Sequence, residues 1–156
     1  MKDITSLVAD LRASTVKKRQ AAAVELGKSG NLSAILPLAA ALSDPYPAVR
    51  CEIAQALGRL GDSDAVPALI TALDDPEPHI RCAAIAALGK IKDRAAISPL
   101  ICCLKDKDMT VRIGAAEVLG KLGDHRAIQQ LTSLLDDPFS DVRNSAQAAI
   151  RKLTIK

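Results

Sequence analysis

The chain has 156 residues, of which 49% are apolar and 25% charged, with a net charge of +3; this is ample for one compact domain or a short repeat array and excludes a disordered chain. The two signs of charge are interleaved, so the concentrated basic stripe that phosphate backbones call for is missing and nucleic acid is not an expected partner. No apolar run nears the ~20 residues that span a bilayer, and the start MKDITSLVAD lacks the apolar stretch of a secretory signal, so the expectation is a cytoplasmic protein without a membrane segment.

Helix-favouring alanine and leucine supply much of the apolar share, while Tyr46 and Phe139 are the only aromatics. That balance favours an all-α fold over a sandwich or barrel. Self-similarity at a fixed period then settles the architecture. Arginine recurs at Arg19, Arg50, Arg81, Arg112 and Arg143, every 31 residues without insertion. Leucine keeps the same count at Leu7, Leu38, Leu69, Leu100 and Leu131, and glycine at Gly27, Gly58, Gly89 and Gly120.

In chain order, residues 1–13 hold a single helix, about Asp3 to Arg12, equivalent to the second helix of a repeat. Units at 14–43, 44–74, 75–105 and 106–136 each hold a helix A and a helix B. In the third unit Ile80, Ala84, Leu88 and Ile91 form one apolar stripe at helical spacing, and Ala96, Ile97, Leu100, Ile101 and Leu104 form the next. Each helix is expected to span roughly 11 to 15 residues, and the short connections make neighbours antiparallel. Asn31, Asp62, Asp93 and Asp124 stand where helix B begins, as N-caps. Gly30, Gly61 and Gly123 follow helix A, where a left-handed residue closes the turn; Lys92 breaks that rule and predicts a differently closed turn. Asp-Pro at Asp44-Pro45, Asp75-Pro76 and Asp137-Pro138 ends helix B.

Residues 137–156 close the array with a capping helix, about Ser140 to Leu153, giving ten helices. There Asn144, Gln147 and Arg151 replace Ile113, Ala116 and Gly120, which reads as the polar cap that stacked repeats need for solubility. In the first helix A, Lys18 and Ser29 likewise replace Val49 and Leu60.

The unit DPYPAVRCEIAQALGRLGDSDAVPALITAL, residues 44–73, resembles the HEAT-like repeat named for phycobilisome lyases, and the resemblance covers essentially the whole chain. It implies an α-solenoid, a right-handed superhelix of about five helix pairs, with the B helices on the concave side. It also implies that the recurring arginine bonds the aspartate of the A–B turn; Asp62, Asp93 and Asp124 stand at matching offsets from Arg50, Arg81 and Arg112. Proteins with this repeat include bilin lyase subunits, hydroxylases and many scaffolds. Hydroxylases of this type hold iron through paired His-Glu motifs, whereas neither His79 nor His125 is followed by Glu.

The arginine row could in principle meet phosphates or carboxylates, and its structural reading is a ladder that ties turns together. Lys17-Lys18-Arg19 and Arg151-Lys152 with Lys156 read as solvated chain ends. Cys51 and Cys82 are one helix-packing step apart, beyond the ~7 Å that a disulfide tolerates. Cys102 and Cys103 point about 100° apart on helix B and do not match the spaced pairs of zinc sites, so neither metal nor cofactor is expected. No phosphate loop, nucleophile elbow or Ser-His-Asp set can be assembled, and the chain is not expected to be an enzyme.

What remains is the surface made by repetition. Helix B positions outside the buried stripe are Leu36, Pro37, Ala40 and Ala41; Pro67, Ala68, Thr71 and Ala72; Ser98, Pro99, Cys102 and Cys103; and Gln129, Gln130, Ser133 and Leu134. None is charged, so they form a low-charge strip across four repeats, the expected contact face for a protein or peptide partner. The alternative is an accessory subunit of an enzyme such as a bilin lyase.

Overall fold

A computed structural model describes residues 3–155 of the chain. Its α-helices are α1 (Ile4–Asp10), α2 (Val16–Lys28), α3 (Ile35–Ala40), α4 (Pro47–Leu60), α5 (Val66–Ala72), α6 (Pro78–Ile91), α7 (Ile97–Cys103), α8 (Met109–Leu122), α9 (Ile128–Ser133) and α10 (Ser140–Thr154), and no strand occurs among the described residues. The even-numbered helices are the A row and the odd-numbered ones the B row of an α-solenoid.

A helices run 13 to 15 residues, as the period predicts. B helices are shorter than expected, with only six or seven α-helical residues each. The difference lies in their first turn, which is 3-10 in every full repeat: Leu32–Ala34, Ser63–Ala65, Arg94–Ala96 and His125–Ala127. Asn31, Asp62, Asp93 and Asp124 each accept the N–H two residues on, which draws that turn tight. Pro67 then sits at the start of α5, where a missing N–H costs little.

Lys92 closes its turn in the same left-handed conformation (φ 61°) as Gly61 (φ 72°) and Gly123 (φ 76°). The expected difference is absent: the turn dictates the backbone, and Lys92 bears the αL strain that glycine would avoid.

One continuous core runs the length of the stack, with Leu26, Leu57, Leu88 and Leu119 of the A row meeting Leu38, Leu69, Leu100 and Leu131 of the B row, all fully buried. The closest helix approaches follow the A row from α2 through α4, α6 and α8 to α10. Glycine makes them possible. A Cβ on Gly58 would sit 2.7 Å from the Ala87 Cβ, and one on Gly27 2.7 Å from the Ala56 Cα. Arg151 occupies the equivalent position on α10 and is exposed, together with Asn144 and Gln147. At the other end Lys18, Glu25 and Ser29 are exposed on α2, so both A-row ends are polar.

Candidate protein-binding face

The arginine ladder is real, but its partners are not the aspartates of the A–B turns. Arg19 meets Asp44, Arg50 meets Asp75, Arg81 meets Asp106 and Arg112 meets Asp137, each as a two-pronged pair with distances between 2.6 and 3.1 Å. The third guanidinium nitrogen donates to the carbonyl six residues back, for example Arg81 Nη1 to Asp75 O at 2.8 Å. One arginine therefore ties the turn before its own helix to the turn one repeat later. Asp62, Asp93 and Asp124 are fully engaged as caps and belong to the opposite edge; Asp124 is also gripped by Arg126, which lowers its carboxyl to about 2. The signal for the true partners was a period already visible: Asp44, Asp75, Asp106 and Asp137 recur every 31 residues.

Burial pushes the Asp44, Asp75 and Asp137 carboxyls up, but the facing guanidinium and the backbone N–H two residues on outweigh it, so all three lie below the usual carboxylate range. Tyr46 lies 5.4 Å from Arg19 and Phe139 5.9 Å from Arg112, covering the ladder's outer layers. The four paired rungs have no edge left for phosphate, and Arg143 bonds only the Asp137 and Pro138 carbonyls. The remaining basic cluster is dispersed as well, because Lys18 pairs with Asp10 at 2.9 Å.

Along the B row the sixteen strip positions separate by place. The first and third of each set are exposed: Leu36 and Ala40, Pro67 and Thr71, Ser98 and Cys102, Gln129 and Ser133. The second, Pro37, Ala68, Pro99 and Gln130, is half-buried. The fourth is half-buried at Ala41 and buried at Ala72, Cys103 and Leu134, which corrects the expectation for those three. They belong to the continuous core of the stack. All four cysteines are free, and burial raises the Cys103 thiol to about 11, an unreactive packing residue.

Successive B helices approach one another less closely than successive A helices do, and a groove opens between each of the first three pairs. Between α1 and α3 it is about 270 Å³, lined by Val8, Leu11, Pro37, Ala40 and Ala41. Between α3 and α5 it is about 440 Å³, lined by Ala39, Leu42, Ala68, Thr71 and Ala72. Between α5 and α7 it is about 300 Å³, lined by Ile70, Leu73, Pro99, Cys102 and Cys103. A ladder aspartate lines each groove, Asp44, Asp75 and Asp106 in turn, Asp74 reaches two of them and Arg12 the first, so each groove carries charge that the strip pattern missed. Leu36 on α3 is 76% exposed.

These features define a stacked-helix repeat protein with an open, low-charge row of grooves. A family model for HEAT repeats matches residues 4–79 and 66–151, and the chain belongs to that family. A chain in the structure of the complex of CpcE and CpcF of phycocyanin lyase from Nostoc sp. PCC7120 is similar, with 32% identity and a TM-score of 0.83 over 99% of this chain. This chain spans 66% of that one. A designed armadillo repeat protein in complex with the peptide (KR)4 matches at 19% identity and TM-score 0.71, over 96% of this chain and 81% of that one. Human deoxyhypusine hydroxylase matches at 18% identity and TM-score 0.54, over 96% and 84%. These last two share the fold. A search of curated proteins gave no match. No helix among the described residues is long and apolar enough to cross a membrane.

Proposed function

We propose that the chain is a non-catalytic scaffold that holds a protein or peptide partner along the B row. The observation that carries this reading is the recurrence of three open grooves one repeat apart. At about 270, 440 and 300 Å³ they lie at the low end of ligand cavities, on the order of 300 to 1,000 Å³, and they repeat along the stack, so the row suits successive side chains of an extended partner better than one enclosed ligand. Exposed Leu36, Thr71 and Cys102 supply apolar and weakly polar contacts. The designed armadillo protein that holds a peptide supports the same use of stacked helices. The test is affinity purification with Leu36→Glu combined with Thr71→Glu, both at exposed positions. The scaffold reading expects an unchanged melting temperature and loss of the partner; retained binding rejects this face.

A second reading, an accessory subunit of a bilin lyase, is favoured by the 32% identity to the lyase complex. Titrating the purified chain with a bilin and following the visible band separates the two. A shifted band supports this reading, and an unchanged spectrum leaves the scaffold.

A further inference from the structure

The two signs of charge alternate along the sequence, but the stack gathers some of the cations at one edge. Lys90 in the last turn of α6, Lys92 and Arg94 just beyond it, and Lys121 in the last turn of α8 are all exposed. Both turns lie inside the stack, with α4 packed before them and α10 after. Gly89 and Gly120 directly precede the two lysines, and a Cβ on Gly89 would sit 2.9 Å from Val118 Cγ1, so α6 and α8 make their close approach beside this edge. Arg94 acts across the same step: the Asp124 carboxyl of the next layer is lowered first by its hydrogen bonds from Arg126 and further by the charge of Arg94.

Local chemistry does not absorb this charge. Segments 90–94 and 121–126 hold five cations against two carboxylates, an excess equal to the net charge of +3 of the whole chain. Both carboxylates are already engaged, since Asp93 accepts the Ala95 N–H at 2.8 Å and Asp124 caps its own turn and holds Arg126. Lys90, Lys92 and Lys121 make no ion pair among the described residues, even with Glu117 one turn before Lys121. In the preceding layer Asp62 and Asp64 follow Arg59 and offset it. The helix dipole favours a cation in a last turn, which is reason enough for Lys90 and Lys121. It gives no reason for the other two. Lys92 holds a left-handed backbone (φ 61°) where the equivalent turns use Gly61 and Gly123, and Arg94 opens the first turn of its B helix, the end at which the dipole disfavours a cation.

We infer that Lys90, Lys92, Arg94 and Lys121 form a docking edge for an acidic, extended segment of a protein. Packed helices stand about 8 to 10 Å apart and an extended chain advances about 3.3 Å per residue, so carboxylates three residues apart meet successive layers. Nucleic acid fits less well, because single strands are held largely by stacking on aromatic rings, and Tyr46 and Phe139 lie against the arginine ladder at the other ends of the A helices. The edge is apart from the B-row grooves, so either surface can fail without the other.

The test uses the full chain and, as a probe, a dodecapeptide with glutamate at every third position and serine between, beside an oligothymidylate of equal length. Two variants with the same change in charge are compared: Lys90→Gln with Lys92→Gly and Lys121→Gln at the edge, and Lys17→Gln with Lys105→Gln and Lys107→Gln at exposed positions elsewhere. The expected result is saturable peptide binding that shifts the amide resonances of residues 90–94 and 121, about tenfold weaker in the edge variant and little changed in the other. No saturable binding, equal losses in the two variants, shifts centred elsewhere, or tighter binding of the oligothymidylate overturns the assignment. The shift map of the unaltered chain decides the matter even if the edge variant does not fold.

Discussion

The A and B rows share one period and meet their neighbours in opposite ways. In the A row a glycine makes room for the next helix across each helix pair, for alanine at Gly27, Gly58 and Gly120 and for Val118 at Gly89, and the arginine ladder locks successive turns. In the B row the helices approach less closely, and small neutral residues leave grooves between them. Close packing is therefore concentrated in one layer, and the looser layer is the one proposed to face a partner. A repeat protein can place binding where its packing is loosest.

The ladder gives the largest expected effect. Arg81 is buried and holds Asp106 as well as two carbonyls, so Arg81→Ala should cost about 3 kcal/mol by stranding a largely buried carboxylate. Arg143→Ala removes only bonds to carbonyls and should cost about 1 kcal/mol. Urea denaturation measures both, and equal losses would show that the carboxylates contribute nothing. Packing comes next. Gly58→Val forces atoms into the Ala87 backbone, 2.8 Å from a Cβ at that position, and should cost about 2 kcal/mol, against the usual gain from removing a helical glycine. Ala40→Leu on the exposed B row should stay within about 0.5 kcal/mol. Similar losses at the two sites would erase the contrast between the rows.

Acid gives the smallest effect. Asp44, Asp75 and Asp137 have carboxyls held below the ordinary value of 3.8 in the folded chain, and Asp124 one lowered to about 2. A lowered folded value means the stabilisation is complete above the unfolded pKa and is lost as pH falls through the folded one. Melting temperature should therefore hold steady from neutral pH to about 5 and fall below about 4; a flat profile down to pH 2.5 would remove the charge contribution of the ladder.

Much of this was legible in the sequence. The 31-residue recurrence of arginine, leucine and glycine defines the layers, because a period of that length with two apolar stripes has one economical packing. The caps Asn31, Asp62, Asp93 and Asp124 follow from local chemistry. Their supposed pairing with the ladder failed because sequence offset does not say which edge of a helix pair a side chain reaches. The burial of Ala72, Cys103 and Leu134 was hidden for a related reason: a uniform 100° step per residue places a side chain on one face of its helix and does not say which neighbouring layer covers it. Lys92 was misjudged because the turn geometry is imposed by the packing of both flanking helices, which overrides the local preference for glycine.

The division of labour between the rows is tested most directly by photo-crosslinking from one exposed position in each. A photoreactive side chain at Thr71 on α5 and another at Ala86 on α6, both exposed, are compared in extract from the native cell. The account predicts that a single partner is captured in high yield from Thr71 and not from Ala86. Capture of that partner from Ala86, with none from Thr71, would contradict it.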